Sequence, residues 1–436
     1  MIKARSTVLA TCITTAFAPL AAQGAGFGLI QHSAKSGGTA YAGTGVNASD
    51  PATVFFNPAG MVRNEGQILS AGVSRVDASF DFEDEGSTYP APELLGADTG
   101  QTSVESREQG YPPKLYYINR FRDDWAAGIA VNAPFGSRTD YDDDWVGRYH
   151  GIESEIISIN INPNVAYRIN DRVSVGMGFS AQYFEATLSS KVPNADPAQG
   201  PVFNPATDSE LEISGDSWAA GVNAGLLADV TDNTQIGLSW RSVVAHRIKG
   251  DATFTDPEGN REVSGGGASI RLPDTYTLSL RHEPDFEERL AILADASYMR
   301  WNRVDDIEVD FDEPVADGQI DGATLPLNFR DSWRGSLGLT WDQNEQLQLR
   351  TGFMFDHSAV RDSESRTPRV PDNHRRWISL GAGWVFQNGL ELDASYSHVM
   401  VNDTRIDNLD EATGAQLTGT FDSSADIASL QATYRF

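Results

Sequence analysis

The most constraining feature of this sequence is a strict alternation of apolar and polar residues that recurs along most of its length. In 390–397, the letters LELDASYS place apolar side chains at even positions and polar side chains at odd positions. A period of two fits an extended strand with one apolar face, and it fits no helix. The same pattern returns in 218–228, 347–355 and 378–386. The chain is therefore predicted to be all-β.

Fourteen segments carry this alternation, and the connections between them are sorted by length. Short turns such as 122–123 and 342–345 alternate with long acidic loops at 83–111, 138–153, 190–209, 255–268, 311–327, 359–373 and 405–422. An outer-membrane barrel has short periplasmic turns and long extracellular loops, whereas an antiparallel sandwich has no reason to sort its loops. The predicted fold class is a transmembrane antiparallel β-barrel over 67–436, in the outer membrane of a Gram-negative cell. Its strands are predicted at 67–82, 112–121, 124–137, 154–169, 173–189, 210–230, 234–254, 269–283, 289–310, 328–341, 346–358, 374–387, 389–404 and 423–436.

Both the last strand and the aromatic residues support a membrane barrel. The final segment alternates up to Phe436, where the chain stops on an aromatic residue. This ending resembles the assembly signal of bacterial outer-membrane barrels, so the barrel-assembly machinery is an expected partner. Tryptophans near strand ends would form the girdles at the membrane interfaces; they include Trp125, Trp341, Trp377 and Trp384.

The first 66 residues differ from the rest and divide in two. Residues 1–24 carry Lys3 and Arg5, then an apolar run and small residues, which predicts a secretory signal peptide cleaved after Gly24. The only cysteine, Cys12, lies in that segment, so the mature chain is expected to have no disulfide. Residues 25–66 contain eight glycines and follow neither a strand period nor a helical period. This stretch is predicted to be a hatch that plugs the lumen of the barrel.

Charge limits the possible partners. Acidic residues outnumber basic ones by 61 to 33, for a formal net charge of −28, which argues against a nucleic-acid partner. The run 142–144 has three aspartates, but consecutive carboxylates on an acidic loop are usually solvated and their spacing fits no known calcium loop. No metal site and no cofactor are expected.

Several short strings together resemble one known family, the outer-membrane long-chain fatty acid and hydrocarbon transporters of the FadL type. The strings are AGFGL, YAGTGVNASDPATVFFNPAGM, VNAPFG, YDDDWVGRYH, INPNVAYRI, LPDTYTLSL, WRGSLG, LRTGFMFD and VPDNHRRWISLGAGW, and they cover the whole predicted mature chain. The resemblance implies a fourteen-stranded barrel, closed by an N-terminal hatch, that moves hydrophobic small molecules without energy input. A monomer in outer-membrane lipid and lipopolysaccharide is expected.

The resemblance also implies a route for the transported molecule. An apolar groove is expected in loops 138–153 and 190–209, where Val192, Pro193, Val202 and Phe203 are the apolar residues; the alternative is that they only pack their own loops. In the third strand, Ala133-Pro134-Phe135-Gly136 predicts a kink, because proline cannot donate to the ladder. The resemblance places the hatch turn Asn57-Pro58-Ala59 against this kink, and a shift of the hatch would release the molecule sideways into the membrane.

The substrate is left open between a fatty acid and an uncharged hydrocarbon. Lys191, Arg330, Arg334 and Arg350 are candidates to bind a carboxylate, although each could instead pair with one of the many acids. A lipid hydrolase is an alternative function of a different class. His282 and His398 do not support it, because they fall at strand positions whose side chains face the lipid. The sequence offers no histidine with a serine and an acid beside it. A general porin is disfavoured because the hatch would obstruct a water channel.

Overall fold

The computed structural model describes residues 25–90, 100–196 and 200–436. The predicted signal peptide at 1–24 lies outside these residues. No helix in the described residues is long and apolar enough to cross a membrane.

Antiparallel strands form a wall of fourteen strands, several of them interrupted. In order around the wall they are β1 (Gln67–Asp84); β2 (Ser103–Gly110) with β3 (Pro113–Arg122); β4 (Trp125–Asn132) with β5 (Gly136–Asp140); β6 (Glu153–Arg168); β7 (Val173–Val192); β10 (Ser209–Thr231); β11 (Thr234–Arg241) with β12 (Val244–Thr255); β13 (Arg261–Leu272) with β14 (Thr275–His282); β15 (Leu290–Met299) with β16 (Ile307–Val315); β17 (Ile320–Leu325) with β18 (Ser332–Asp342); β19 (Leu347–Asp356); β20 (Arg375–Val385); β21 (Leu390–Val401) with β22 (Thr404–Leu409); and β23 (Gln416–Arg435). The short strands β8 (Asn194–Asp196) and β9 (Gly200–Val202) pair with each other in a loop.

The wall closes on itself. Strand β1 pairs with β23 from Ile68 opposite Arg435 to Asp84 opposite Gly419. A closed barrel leaves no strand edge to face lipid, where unpaired backbone groups would find no water. The prediction of a closed barrel with fourteen strands is confirmed.

Several predicted loops were too long. Strands β2 and β17, the first part of β13, the end of β16, most of β22 and the start of β23 occupy segments predicted to be loops. These stretches are mostly polar, and above the membrane the outer face of the wall meets water rather than lipid. The backbone ladder therefore continues there without the apolar alternation that marks a strand in the bilayer.

The outer face of the wall carries an apolar band. Alternate residues such as Met177, Leu337 and Leu430 are each 64 % exposed, while their neighbours along the strand point into the lumen. Aromatic side chains lie at both edges of this band, among them Trp218, Tyr276, Tyr298, Trp333, Trp384, Tyr434 and Phe436. An apolar outer surface with aromatic residues at its edges is what a membrane barrel presents to a bilayer.

Residues 25–66 fill the lumen of the wall. They form two short helices, α1 (Ala34–Gly37) and α2 (Thr53–Phe56), followed by a 3-10 turn over Pro58–Arg63. Lys35 forms a buried ion pair with Glu391 of the wall. The backbone amides of Gly43 and Thr44 donate to the Asp295 carboxylate at 2.9 and 3.1 Å.

The hatch backbone approaches the wall closely at several glycines of the wall. A methyl group added at these glycines would collide with hatch atoms; examples are Gly176 against Pro58, Gly225 against Asn57, Gly237 against Gly45, Gly352 against Thr39 and Gly381 against Gly38. The glycines on the lumen face of the strands are therefore the places where two backbones approach closely.

Substitution of Gly225 by valine should displace the hatch while the barrel still assembles. Valine suits a strand, but its side chain would overlap the Asn57 amide, and overpacking of this kind costs about 1–3 kcal/mol. Limited proteolysis of folded protein in detergent should cut the hatch faster in Gly225→Val than in wild type. The control is Gly335→Val, since the nearest atom to a Cβ there is 3.8 Å away in Trp333. Equal protection in both variants would contradict the prediction.

Candidate functional site

An apolar cavity of about 850 Å³ lies in the extracellular half of the lumen. Its wall comes from β6, β7, β10, β12, β13, β16 and β17, and its lining includes Ile156, Phe184, Ile213, Ile248, Phe311 and Leu325. The guanidinium of Arg369, at its edge, already donates to the Glu153 and Ser189 carbonyls. We call this space the upper cavity; its lining suits a hydrocarbon chain rather than a polar molecule.

A second cavity of about 1050 Å³ lies directly against the hatch, and we call it the lower cavity. Hatch residues His32, Phe55 and Phe56 line one side, and the wall residues include Asn160 and Gln182. Two arginines, Arg241 and Arg334, also line it. The lower cavity is thus apolar in part and cationic in part.

Four aromatic residues separate the two cavities. The Phe27 ring of the hatch lies 5.0 Å from Trp301 and 6.1 Å from Phe135, measured between ring centroids. Trp301 lies 5.7 Å from Phe329. Phe27 lines the upper cavity, whereas Phe135 and Trp301 line the lower one. Movement of the first hatch residues would join the two spaces.

The third wall strand is interrupted at the predicted place. Strand β4 ends at Asn132 and β5 begins at Gly136, so Ala133, Pro134 and Phe135 leave the ladder. The hatch replaces the missing partners, since the Leu29 amide donates to the Pro134 carbonyl and the Gly136 amide donates to the Phe27 carbonyl, each at 2.9 Å. Backbone hydrogen bonds with the hatch close part of the interruption. The Ser158 hydroxyl of β6 closes the rest, since it bonds to both the amide and the carbonyl of Phe135.

The turn Asn57-Pro58-Ala59 does not lie against this interruption, contrary to the expectation. The Asn57 side-chain amide donates to the carbonyls of Gly45 and Leu226 at 2.6 and 3.0 Å, and Ser174 donates to the Ala59 carbonyl at 2.9 Å. The turn therefore rests against β7 and β10. The physical reason is that these strands carry Gly176 and Gly225, which let the turn approach closely.

The loop residues expected to form an open groove are instead packed or paired. Phe203 is only 2 % exposed and stacks on Tyr89, with 5.2 Å between the ring centroids. Val192 packs, partly buried, beside Leu211, and Pro193 and Val202 are also half-buried. In the described part of these loops the alternative, packing within the loops, is the arrangement found.

A buried ion pair fastens the same loops. The Arg148 guanidinium donates to Asp208 at 2.7 Å, and both side chains are fully buried. Burial raises the pKa of the Asp208 carboxyl, and the hydrogen bonds from Arg148 and Tyr149 oppose that rise. Lys191 pairs with Glu210 at 2.7 Å and with Asp143 at 3.2 Å. The ammonium group of Lys191 is therefore already paired with carboxylates. The described residues contain no group of three or more potential metal ligands.

The three candidate arginines differ in their partners. Arg350 forms a buried ion pair with Asp393 at 2.6 Å. Arg330 donates to the Ser358 carbonyl at 3.3 Å. Arg334 lines the lower cavity, half-buried, and makes no hydrogen bond or ion pair with the described residues. Asp356 stands opposite it in the β18–β19 ladder, but that carboxylate accepts from the Ala25 amide at 3.1 Å and lies 3.7 Å from Arg375.

Arg241 was missed by the sequence reasoning. Its guanidinium donates to the Phe55 carbonyl at 2.7 Å and to the Asn162 side chain at 2.9 Å, and it lies 3.6 Å above the Phe55 ring. No carboxylate among the described residues pairs with it. Trp240 faces outward, so the next residue along the strand, Arg241, faces the lumen. This alternation along the strand is the signal that could have identified Arg241.

The histidines do not assemble a hydrolase site in the described residues. His246 comes nearest, with Ser217 Oγ 2.9 Å from Nδ1, but its Nε2 bonds to the Gln182 amide at 3.1 Å. An amide stands where a hydrolytic triad has a carboxylate. His282 bonds to Thr234 and His398 bonds to Asp426, both at 2.9 Å.

Comparison with known proteins agrees with the resemblance found in the sequence. The model of the family described as outer membrane protein transport protein (OMPP1/FadL/TodX) matches residues 15–436. The chain is similar to the long-chain fatty acid transport protein of Salmonella typhi, with 27 % identity over 89 % of this chain and 91 % of that protein. It also resembles the crystal structure of a Pseudomonas aeruginosa FadL homologue, with a TM-score of 0.84 and 23 % identity over 94 % and 99 % of the two chains. The Pseudomonas putida toluene transporter TodX gives a TM-score of 0.67 and 18 % identity over 96 % and 99 %.

Replacement of Arg350 by methionine should destabilise the barrel rather than change ligand affinity. The change leaves Asp393 buried without its partner, which costs about 3–5 kcal/mol. Urea unfolding in detergent should show this loss, while the folded fraction should keep its affinity for oleate. The control is Arg376→Met, because Arg376 is exposed on the outer face of β20. Unchanged stability with lost oleate affinity would make Arg350 a ligand of the substrate instead.

Proposed function

Because the chain belongs to the outer membrane protein transport protein family (OMPP1/FadL/TodX), we propose that it carries hydrophobic monocarboxylates of the fatty acid class passively across the outer membrane. The chain is an outer-membrane β-barrel of the type that transports hydrophobic compounds. The proposal adds the substrate class, the residue that recognises it and the route through the lumen.

The observation that carries the proposal is the free guanidinium of Arg334 in the lower cavity. A cation in a confined, partly apolar space favours an anion that brings its own apolar body, and a carboxylate fits the planar fork of arginine with two hydrogen bonds. Arg241, across the same cavity, adds positive charge without a carboxylate of its own. A fatty acid would place its head group between these arginines.

The upper cavity would bind the hydrocarbon tail of the fatty acid. Its lining is almost entirely aliphatic and aromatic, so a hydrocarbon tail gains about 0.8 kcal/mol for each methylene group removed from water. A molecule that occupies both cavities must pass the aromatic partition formed by Phe27, Phe135, Trp301 and Phe329. Displacement of hatch residues 27–29 would open that partition and uncover the interruption in the third strand at the same time.

Nothing in this route requires catalysis or an energy source. A single chain closes the wall, which supports a monomer as the transporting unit. No metal or cofactor has a role in the proposal. An apolar molecule descends from a dilute aqueous phase into lipid, where its free energy is lower.

Substitution of Arg334 by methionine should reduce oleate uptake and spare toluene uptake. Loss of a charge-assisted hydrogen bond costs about 1.5–3 kcal/mol, so oleate affinity should fall roughly 10- to 100-fold. The measurement is uptake of radiolabelled oleate and toluene, side by side, in a host that lacks its own transporter. Arg376→Met serves as the matched control, since it removes an exposed arginine from the outer face.

The outcomes separate the alternatives. Uptake of toluene but not oleate by the wild-type chain would favour an uncharged hydrocarbon as the substrate and make Arg334 structural. Equal loss of both substrates in Arg334→Met would mean that the arginine holds the hatch rather than the head group. Release of fatty acid from phospholipid by the purified protein would revive the hydrolase alternative.

A further inference from the structure

Two carboxylates and one guanidinium surround the start of the hatch. The Ala25 nitrogen donates to Asp356 Oδ2 at 3.1 Å, and the Gly26 nitrogen donates to Asp372 Oδ2 at 2.9 Å. Arg375 lies 2.8 Å from Asp372 and 3.7 Å from Asp356, and all three side chains are buried. A buried charge is costly unless an opposite charge lies beside it.

The charges in this cluster do not balance. Arg375 contacts both carboxylates, whereas Arg366 donates to backbone carbonyls. The Asp356 Oδ1 atom is buried and has no hydrogen-bond partner in the part of the chain that the structure describes. One more positive charge at Asp356 would balance the cluster. The atom that already occupies that place is the Ala25 nitrogen.

The sequence predicts that this nitrogen becomes an ion. Cleavage after Gly24 would make Ala25 the first residue of the mature chain and turn its amide into an α-amino group. Such a group has a pKa of about 7.7–8.0 and is mostly protonated at neutral pH. An ammonium group carries three N–H donors, so it can bond to both oxygens of Asp356. The cluster then holds two positive and two negative charges.

Asp356 also stands next to the proposed ligand site. It is the ladder partner of Arg334, on the neighbouring strands β19 and β18. Side chains directly opposite each other in an antiparallel pair have Cβ atoms about 4.5–5.5 Å apart. The Asp356 carboxylate can therefore reach the Arg334 guanidinium unless another group holds it. In the structure the Ala25 nitrogen holds it.

We propose that the α-ammonium group of Ala25 binds Asp356 in the mature chain and thereby keeps Arg334 free for the ligand carboxylate. This inference rests on the proposed function, in which Arg334 recognises the head group of a fatty acid. A neutral or displaced N-terminus leaves the negative charge of Asp356 unbalanced. Asp356 then turns to Arg334 and competes with the ligand. The N-terminus acts on the ligand only through these two residues, so it is a positioning group.

The first test measures the α-amino group itself and needs no ligand. The chain purified from outer membranes is treated with an amine-acetylating reagent, either folded in detergent or unfolded in guanidinium chloride. Mass spectrometry identifies the first residue and gives the acetylation rate of its α-amino group. Lys249 is the control, because its amine is exposed and should react similarly in both states.

The α-amino group of Ala25 should react much more slowly in the folded chain than in the unfolded chain. Asp356→Asn should raise the rate in the folded chain, because the ion pair is lost. A first residue other than Ala25, or equal rates in the folded and unfolded chains, would overturn the proposal. So would a rate that Asp356→Asn leaves unchanged, since burial alone would then protect the amine.

The second test moves the charge away from Asp356. One glycine inserted between Gly24 and Ala25 keeps an amide at Ala25 and places the α-ammonium group one residue earlier, which mass spectrometry confirms. The affinity of the folded protein for oleate should fall about 10- to 100-fold, the loss of one charge-assisted hydrogen bond. Asp356→Asn in the inserted chain should restore the affinity, because the competing carboxylate is gone.

The outcomes of the second test are distinct. Unchanged oleate affinity in the inserted chain would contradict the proposal. Failure of Asp356→Asn to restore the affinity would contradict it too, because the insertion would then act by displacing the hatch. A wild-type chain with a protected α-amino group that does not bind oleate would refute the proposed substrate class and the role at Arg334, while the ion pair with Asp356 would stand.

Discussion

The need to pair every backbone amide and carbonyl in a lipid environment governs this structure. Water is absent from the hydrocarbon layer, so a wall strand can leave its ladder only where other groups supply the missing bonds. The chain leaves the ladder at Pro134, where the hatch backbone supplies them, and at Ser242, whose hydroxyl and amide bond to Val222. Each substitute keeps the backbone bonded where the ladder stops, so the wall stays closed there.

The same constraint explains how the hatch is held. Its irregular backbone cannot satisfy all of its own amides, so side chains of the wall and of one loop accept from them. Asp356 and Gln431 of the wall accept from Ala25 and Ala34, and Asp372 of the loop between β19 and β20 accepts from Gly26. Some of the chain's excess acid is therefore used inside the barrel as acceptors for the hatch. Wall glycines bring the two backbones close enough for this bonding, and bulkier residues there would prevent it.

The sequence predicted the strand segments that cross the bilayer, and few of the strand segments that extend above it. Fourteen strands could be counted because each strand in the bilayer must alternate apolar and polar residues. Strand β2, with the sequence SVESREQG, was missed because water surrounds it, so its outer face is charged. The turn at Asn57 was predictable from local chemistry, and its side chain does accept from the Ala59 amide. Its neighbours, β7 and β10, were not predictable, because they are fixed by contacts more than a hundred residues away.

In the candidate site, too, the local sequence predicts which way a side chain faces but not which distant residue it contacts. Parity places both Arg334 and Arg350 on the lumen face, and their sequence contexts, SWRGS and QLRTG, do not tell them apart. Their roles differ because Asp393 of β21 reaches Arg350, while the carboxylate opposite Arg334 already binds the hatch backbone at Ala25. An arginine left without a bond is tolerated only where water can hydrate it, as in the lower cavity. A ligand carboxylate that replaces this water gains a charge-assisted bond and then holds its tail against the apolar lining above. Recognition of the head group therefore depends on the seating of the hatch, because the Ala25 amide of the hatch occupies the carboxylate that stands opposite Arg334.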